Sequence, residues 1–485
     1  MNMRVLLAVP PGIDKLELYK VLGLKAPPLG LAWIAAVLER AGHKVRIIDS
    51  PTEGIDLRTF MGEVKSWQPD VVGITAITPT VYKAYETAKA IKEYDKDLPV
   101  IMGGPHVTFM YEEALSNNVD VVVRGEGEYT TLELINTMEK YGMDPAHLKS
   151  IRGLVFKDGD QVIKTPDRPP IKNLDELPPP ARHLLPMDKY TLFGKPIRIV
   201  HVMASRGCPY GCSFCSTSYF WGRMIRYRSA KAVADEIEDA VNTYKTNIIV
   251  FTDDEFTLGK RFVYEFLREL EERKLDINFS CGSRVDTIDR EMMIALKKHG
   301  CTALYFGVES GSQDTINKIG KRITLEQAIR VFQWAKEIKI DHVGSFVIGF
   351  PWESIDDMKN TVKFAMKLNP TYAQFTVATP YPGTPLYYQA LSDNLIEDWN
   401  WEHWTTLKAV MRGYKFTKEQ AQKMLQWAYV KYYSRLGFLI HELIHGRLGT
   451  IISAIRNSLV PWFTEKLLSV VSELSGVVQY LPQNQ

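Results

Sequence analysis

The sequence predicts an α/β chain made of two successive series of parallel βα units, closed by a helical segment. Three observations predict it. Short, wholly apolar runs alternate with amphipathic stretches over residues 1–145 and again over 196–394, the pattern of parallel strands covered on both faces. Between the two series, residues 146–195 lose that periodicity and carry Lys157-Asp158-Gly159-Asp160, a hairpin turn signal, and the breaker cluster Pro178-Pro179-Pro180. From residue 395 to the end at 485 the spacing of apolar residues is helical.

In the first series the strands are expected at Arg4–Pro10, Lys44–Ser50, Val71–Ile77, Val100–Gly104 and Val121–Gly125, with helices such as Leu29–Arg40 and Thr80–Tyr94 between them. This is a Rossmann-like pattern, and ligands of such domains bind beyond the carboxyl ends of the strands. Residues 146–195 read as a linker with one small hairpin. The second series puts strands at Ile199–Ser205, Asn247–Thr252, Ile277–Val285, Ala303–Gly307, His342–Gly349 and Ala373–Thr379. Six βα units are too few to close an eight-stranded TIM barrel, so a partial barrel is expected, with its chemistry at the strands' C-terminal ends. Thr324-x-x-Gln327 and Ser354-x-x-Asp357 spell capping boxes for two of its helices, and Thr417-x-x-Gln420 opens one in the last segment.

Lysine plus arginine total 59 against 57 acidic residues, a net charge of +2 that argues against a nucleic-acid partner. Of five cysteines, three fall within eight residues, which is metal-site usage in a reducing compartment rather than a disulfide framework. The N-terminus enters a strand pattern without a signal peptide's layout, and no apolar run reaches the roughly 18 residues of a spanning helix. A cytoplasmic location is expected. Gly437 to Leu481 is rich in apolar residues at helical spacing, among them Phe438, Leu443, Ile451 and Leu459. It reads as a layer packed on the barrel or on a second copy, or as an amphipathic surface resting on a membrane, where Pro461-Trp462-Phe463 would suit the interface.

The chemistry centres on Cys208, Cys212 and Cys215, spaced C-x₃-C-x₂-C just after the apolar run Ile199–Met203. Three thiolates on one short loop can hold three corners of a cubane iron–sulfur cluster, leaving the fourth iron open to a substrate or cofactor. A structural zinc site is the alternative, but zinc closes with four ligands, and neither His201 nor Cys281 offers an obvious fourth. Cys281 and Cys301 otherwise read as inert core thiols, with Cys281 weighed as a side chain that might reach substrate from inside the barrel.

The stretch Arg206-Gly207-Cys208-Pro209-Tyr210-Gly211-Cys212-Ser213-Phe214-Cys215 resembles the signature of the radical S-adenosylmethionine superfamily. The resemblance implies a [4Fe–4S] cluster whose open iron chelates the amino and carboxylate groups of S-adenosylmethionine, and reductive cleavage to a 5′-deoxyadenosyl radical. It extends along the barrel and implies further roles. Asp254 and Glu255, in Thr252-Asp253-Asp254-Glu255-Phe256, lie where family members bind the methionine amino group. Arg284 resembles the partner of the methionine carboxylate, and Glu309, in Gly307-Val308-Glu309-Ser310-Gly311, the ribose contact. Phe214 is a candidate for packing on adenine or simply on its neighbours. Gly349-Phe350-Pro351-Trp352-Glu353 and Tyr381-Pro382-Gly383-Thr384-Pro385 resemble later loops, although Trp352 stands where a small residue is usual and puts that loop's shape in question.

A Rossmann-like domain ahead of such a barrel resembles the cobalamin-binding class of these enzymes. Where that fold carries D-x-H-x-x-G, a later S-x-L and a still later G-G, this sequence has Asp49-Ser50-Pro51-Thr52-Glu53-Gly54, Thr75-Ala76-Ile77 and Gly103-Gly104. Asp49, Pro51, Gly54, Thr75, Gly103, Gly104 and, in Arg124-Gly125-Glu126-Gly127-Glu128, Glu126 are the expected cofactor-binding positions. Pro51 replaces the cobalt-ligating histidine and has no donor atom, so cobalamin bound without histidine ligation is implied. His106 is a polar contact rather than a named ligand.

The expectation is therefore an enzyme that cleaves S-adenosylmethionine and, with cobalamin, modifies an unactivated carbon by C-methylation, C–C bond formation or ring formation. A reductant of the flavodoxin or ferredoxin type is its implied partner. The apolar C-terminal segment inclines the substrate towards a lipid or isoprenoid; a peptide, an antibiotic precursor or a tetrapyrrole is the alternative. Trp399-Asn400-Trp401-Glu402-His403-Trp404 would line an apolar entrance or fill a junction between layers. A non-catalytic cobalamin sensor or carrier would leave the cysteine triplet unexplained. A methylthiolating enzyme would carry a second cysteine triplet, and residues 1–150 contain no cysteine.

Overall fold

The computed structural model describes residues 2–16, 25–190, 198–435 and Phe438. Strands β1 (Arg4–Val9), β2 (Lys44–Asp49), β3 (Val71–Thr75), β4 (Val100–Gly103) and β5 (Val121–Val123) are parallel, in the order β2-β1-β3-β4-β5. Their short aliphatic runs are buried because helices cover the sheet. Helices α1 (Leu29–Arg40) and α2 (Glu128–Tyr141) pack Leu31, Leu38, Leu134 and Ile135 into one core with Val5, Leu7 and Val121. The hairpin expected within the linker, β6 (Leu154–Asp158) and β7 (Gln161–Lys164), does form, but it extends this same sheet antiparallel to β5.

The second sheet is parallel throughout. Strands β8 (Val200–Val202), β11 (Ile248–Phe251), β12 (Asn278–Ser283), β13 (Cys301–Glu309), β14 (Asp341–Ile348) and β15 (Tyr372–Val377) follow one another across it in chain order. A small antiparallel hairpin, β9 (Ser205–Arg206) with β10 (Arg226–Tyr227), brackets the cysteine loop. Helices α3 (Ala230–Tyr244), α4 (Lys260–Arg273), α5 (Leu325–Ile338) and α6 (Ile355–Leu368) lie on one face. The predicted capping boxes at Thr324/Gln327 and Ser354/Asp357 are both complete.

Alternation along the strands decides which side chains meet those helices. Phe279 of β12 packs 6.0 Å from Phe266 of α4, and Phe306 of β13 packs 5.4 Å from Phe332 of α5. Cys281 shares the face of Phe279 and is buried beside Cys301. Both thiols therefore belong to the helix-facing core, and Cys281 does not point towards the open face of the sheet. Tyr305, on the opposite face of β13, is 50 % exposed.

After β15 the chain departs from the helical expectation. Residues 395–417 form a loop with one 3₁₀ turn, Trp401–His403, and an isolated bridge between Ile396 and Met411. Local bonds compete with helix here: Asn400 accepts from the Glu402 N–H, and the Asp398 carbonyl accepts from the Trp404 indole at 2.9 Å. The segment folds back onto the first domain, where Trp401 Nε1 donates to Glu113 at 3.0 Å and Trp401 and Trp404 join the core of Leu6, Ile74 and Met102. The tryptophans fill a junction. Helix α7 (Lys418–Tyr433) then begins at the expected Thr417/Gln420 box and lays Tyr429 and Tyr432 on Phe375 of β15. Residues 439–481, the basis for the lipid inclination, lie outside the described residues. No helix among the described residues is long and apolar enough to cross a membrane.

Candidate functional site

The cysteine loop is shaped by glycine. Gly207 has φ +93°, and a Cβ there would stand 2.4 Å from the Met224 carbonyl oxygen, so only glycine lets the chain leave β9 against the β10 side of the hairpin. The loop is then pinned from several sides. Ser218 donates to the Cys208 carbonyl at 2.8 Å, the Cys215 N–H to the Cys212 carbonyl at 3.2 Å, and the Ser213 N–H to the Ile319 carbonyl at 2.9 Å. Cys212 is buried, Cys208 and Cys215 partly so, and burial pushes the Cys215 thiol up to about 11. The three thiols interact through their charges in sequence, Cys208 with Cys212 and Cys212 with Cys215. Among the described residues no three His, Cys, Asp or Glu side chains converge as one ion would require. Three thiols on one loop of eight residues are the donor set of a cubane iron–sulfur cluster with one open iron.

The strand-end acids surround this loop. Asp254 accepts from Thr217 Oγ1 at 2.8 Å, two residues beyond Cys215, and its carboxyl is raised by burial. Asp253 instead turns inward, accepting from the Ala204 N–H at 3.0 Å and Ser205 Oγ at 2.5 Å, and burial lifts it to about 7. Glu255 accepts from Thr257 and Thr287 at 2.9 and 2.8 Å. Arg284 is held by a two-point pair with Asp286, at 2.8 and 2.9 Å, and lies 3.4 Å over the Tyr210 ring of the cysteine loop. Glu309 sits at a bulge with φ +70°.

Sequence reasoning missed the partner of Glu309. Lys321 donates to Glu309 Oε1 at 2.7 Å, both side chains are buried, and its charge acts on Cys212. A lone lysine in Gly320-Lys321-Arg322 carries no signal in one sequence; only the fold returns it to the strand end. Phe214 packs edge-on against Phe350 at 5.6 Å. The loop in question around Trp352 closes on Glu353, which accepts from the Gly349 and Phe350 N–H groups at 2.8 and 3.0 Å while burial lifts it to about 7. Trp352 stacks on Phe350 at 5.5 Å, outside that turn, so its bulk is accommodated.

In the first domain a cavity of about 180 Å³ opens between the sheet and helices α1 and α2, and Thr75, Gly103, Gly104 and Glu126 line it. Missing side chains keep it open. A Cβ on Gly73 would stand 2.8 Å from Leu7 Cδ2, one on Gly127 2.9 Å from Ile34 Cδ1, and one on Gly104 2.5 Å from the Ala76 carbonyl oxygen. Trp221, from the far side of the cysteine loop, completes the wall, so the cavity and the cluster loop share a boundary. At that volume the small-residue slot suits a narrow group threaded along the sheet, as cobalamin's nucleotide tail is, with the corrin ring outside it.

Asp49, Pro51 and Gly54 lie apart from that lining, around the short helix Ser50–Glu53. Pro51 is buried at its first turn. Asp49 accepts from the Tyr190 hydroxyl at 3.0 Å, a residue of the linker, and burial raises it to about 6. His106 is also buried, 3.2 Å from Thr78 Oγ1 and edge-on to Trp401, and burial lowers it to about 3, so it is neutral.

Two family matches fall on these two sites: the B12 binding domain over residues 18–135 and the Radical SAM superfamily over 202–365. An uncharacterized methyltransferase of Pyrococcus horikoshii is 41 % identical over 94 % of this chain and 98 % of its own length. The chain belongs to the cobalamin-dependent radical S-adenosylmethionine enzymes. An anaerobic magnesium-protoporphyrin IX monomethyl ester cyclase of Rubrivivax gelatinosus is 30 % identical over 85 % of this chain and 75 % of its own length. Among solved structures, the cobalamin-dependent S-adenosylmethionine radical enzyme OxsB, with aqua-cobalamin and S-adenosylmethionine bound, shares the fold at a TM-score of 0.73 and 17 % identity, covering 96 % of this chain and 70 % of that one. A [4Fe–4S] cluster, S-adenosylmethionine and cobalamin are thus the cofactors of this family member, which acts by methylation or cyclisation.

Proposed function

We propose that the protein transfers a methyl group to an unactivated carbon of a hydrophobic small molecule that also carries neutral hydrogen-bonding groups. The observation that carries this reading is the shared wall: Trp221 closes the glycine-lined cavity of the first domain and follows the cysteine loop of the second. When bound, the cluster supplies the electron that cleaves S-adenosylmethionine and cobalamin supplies the methyl carrier. The residues do the rest. Cys208, Cys212 and Cys215 hold the cluster. Asp254 takes the methionine amino group, Arg284 and Lys321 face its carboxylate, and Glu309, held by Lys321, meets the ribose. The likeness along nearly the whole chain to an uncharacterized methyltransferase favours methylation over cyclisation.

The uncovered face of the second sheet supports the substrate class. Tyr305, Ser345 and Gln374 lie on that face and are at least partly exposed. Ser345 pairs in register with Gly307 on one side and Gln374 on the other, and Glu309 and Lys321 overhang Gly307. Hydroxyl and amide groups beside the cleavage site suit a substrate with neutral polar groups. The test is anaerobic reconstitution of the full chain. The purified protein is expected to show iron–sulfur absorption and to form 5′-deoxyadenosine or S-adenosylhomocysteine with a strong reductant. Cys212→Ala is expected to lose both. Turnover retained in that variant overturns the reading.

A further inference from the structure

A buried block of four charges lies where the two sheets meet. Arg206, on β9 two residues before Cys208, is 3 % exposed. Its guanidinium lies between two indoles, 4.9 Å from the Trp33 ring of α1 and 4.9 Å from that of Trp221. Nη2 donates to Glu128 Oε1 at 2.6 Å, and Nη1 lies 3.8 Å from Glu126 Oε1. Arg226, opposite Arg206 in the β9–β10 hairpin, reaches Glu126 Oε1 at 2.6 Å and the Ile171 carbonyl at 2.6 Å. Two cations face two anions, so the block is neutral, as deep burial demands.

The block touches both sites at once. Glu126 and Glu128 line the first-domain cavity, whereas Arg206 and Arg226 frame the cysteine loop. Four buried polar atoms of the block make no hydrogen bond among the described residues: Arg206 Nη1, Arg226 Nε, Glu126 Oε1, which has ion-pair contacts only, and Glu128 Oε2, whose side chain is 4 % exposed and lines the cavity. An unsatisfied buried carboxylate oxygen is costly unless a donor reaches it. The rim of a corrin carries primary carboxamides, whose N–H groups are such donors.

We infer that Arg206 is a positioning residue that couples occupancy of the cobalamin cavity to the cluster loop. Glu128 grips the guanidinium with one carboxylate oxygen and offers the other to a corrin carboxamide. The two indoles hold the guanidinium in plane, so a shift of Glu128 on cofactor binding passes along β9 to the loop that begins at Gly207. The inference rests on the reading that this cavity holds cobalamin.

Coupling is reciprocal, and typical values lie at about 5–150-fold. The full chain is titrated anaerobically with hydroxocobalamin, with and without the reconstituted cluster, and the reduced cluster's electron-spin-resonance signal is recorded with and without the corrin. In the wild type, cluster loading is expected to tighten corrin binding about tenfold, within that range, and the corrin to shift the cluster signal. Arg206→Gln is expected to bind both cofactors with the coupling reduced to below about twofold, under the low end of that range. Glu128→Gln is expected to weaken corrin binding about tenfold while leaving cluster content unchanged. If Arg206→Gln does not fold, Arg206→Lys keeps the charge between the indoles but loses the fork, and is expected to show the same loss of coupling. Wild-type coupling in the folded arginine variant, or wild-type corrin affinity in Glu128→Gln, overturns the inference. A wild type that binds the corrin indifferently to the cluster overturns it as well, whereas a wild type that binds no corrin overturns the cavity reading beneath it.

Discussion

Replacing Gly104 by alanine tests the cobalamin cavity where it is least able to yield. Gly104 follows β4 with φ +112° and ψ 173°, a region that side chains with a Cβ rarely adopt. The added Cβ would stand 2.5 Å from the Ala76 carbonyl oxygen and 3.1 Å from the Ala76 nitrogen, and that N–H is itself bonded to the Gly103 carbonyl at 2.9 Å. No flexible side chain can move aside. Backbone strain of about 1–3 kcal/mol and overpacking of about 1–3 kcal/mol together amount to roughly 2–6 kcal/mol, concentrated in the cavity wall. If about half of this falls on the cavity, corrin affinity drops by roughly 5- to 150-fold, about thirtyfold at the midpoint. Gly127→Ala is the control, because its added Cβ meets the movable tip of Ile34 at 2.9 Å with ordinary backbone angles. It is expected to change affinity by no more than about threefold, under 1 kcal/mol. Absorbance titration with hydroxocobalamin gives both affinities, and urea melts of the apo chain give the stabilities. A Gly104→Ala variant with wild-type affinity and an unmoved midpoint would refute the reasoning.

Lys321→Met leaves the Glu309 carboxylate buried without its partner, so a loss of about 3–5 kcal/mol in stability is expected, together with weaker S-adenosylmethionine binding; adding Glu309→Gln to the same chain should recover much of the stability, as denaturant melts would show. Asp49, raised to about 6, holds its proton when folded at a pH where the unfolded chain has lost it. Its contribution to stability is therefore greatest below about pH 4 and falls as pH rises through about 6. Asp49→Asn should remove up to about 3 kcal/mol of that fall, seen as a smaller drop in urea midpoint between pH 4.5 and 7 than in the wild type, and an identical pH profile in both would count against it. Trp401→Phe removes the indole donor to Glu113 and should lower stability by about 1–3 kcal/mol without changing iron content, measured by melts and iron analysis.

Much of this was legible because the pattern is carried by local chemistry. Wholly apolar runs identified every parallel strand of the two large sheets, and three capping boxes set the starts of α5, α6 and α7 at their predicted residues. The cysteine loop and the glycines at Gly103-Gly104 announced themselves by spacing. What escaped was set by contacts distant in sequence. The hairpin at 154–164 was legible from its turn, but its place in the first sheet was not, because nothing local says that Val121 will pair with Phe156. Residues 395–417 carried apolar spacing that tertiary bonds to Glu113 and local turns at Asn400 overrode. Lys321 and Glu128 have ordinary neighbours in the chain, and only the fold brings them against Glu309 and Arg206. Cys281 was ambiguous because strand parity fixes its side only once the helices are in place.

The return of the chain to its beginning also sets the order in which the protein is made. Trp401 and Glu113 are 288 residues apart. At roughly 5–20 residues per second of synthesis, the first domain waits on the order of half a minute for the indoles that complete its core. During that interval the seam around Val81, Ala84 and Val107, later covered by Trp401 and Trp404, faces the surroundings. The core of the first domain is therefore finished last although most of its residues are synthesised first, which makes that domain, expressed by itself, a client for chaperones.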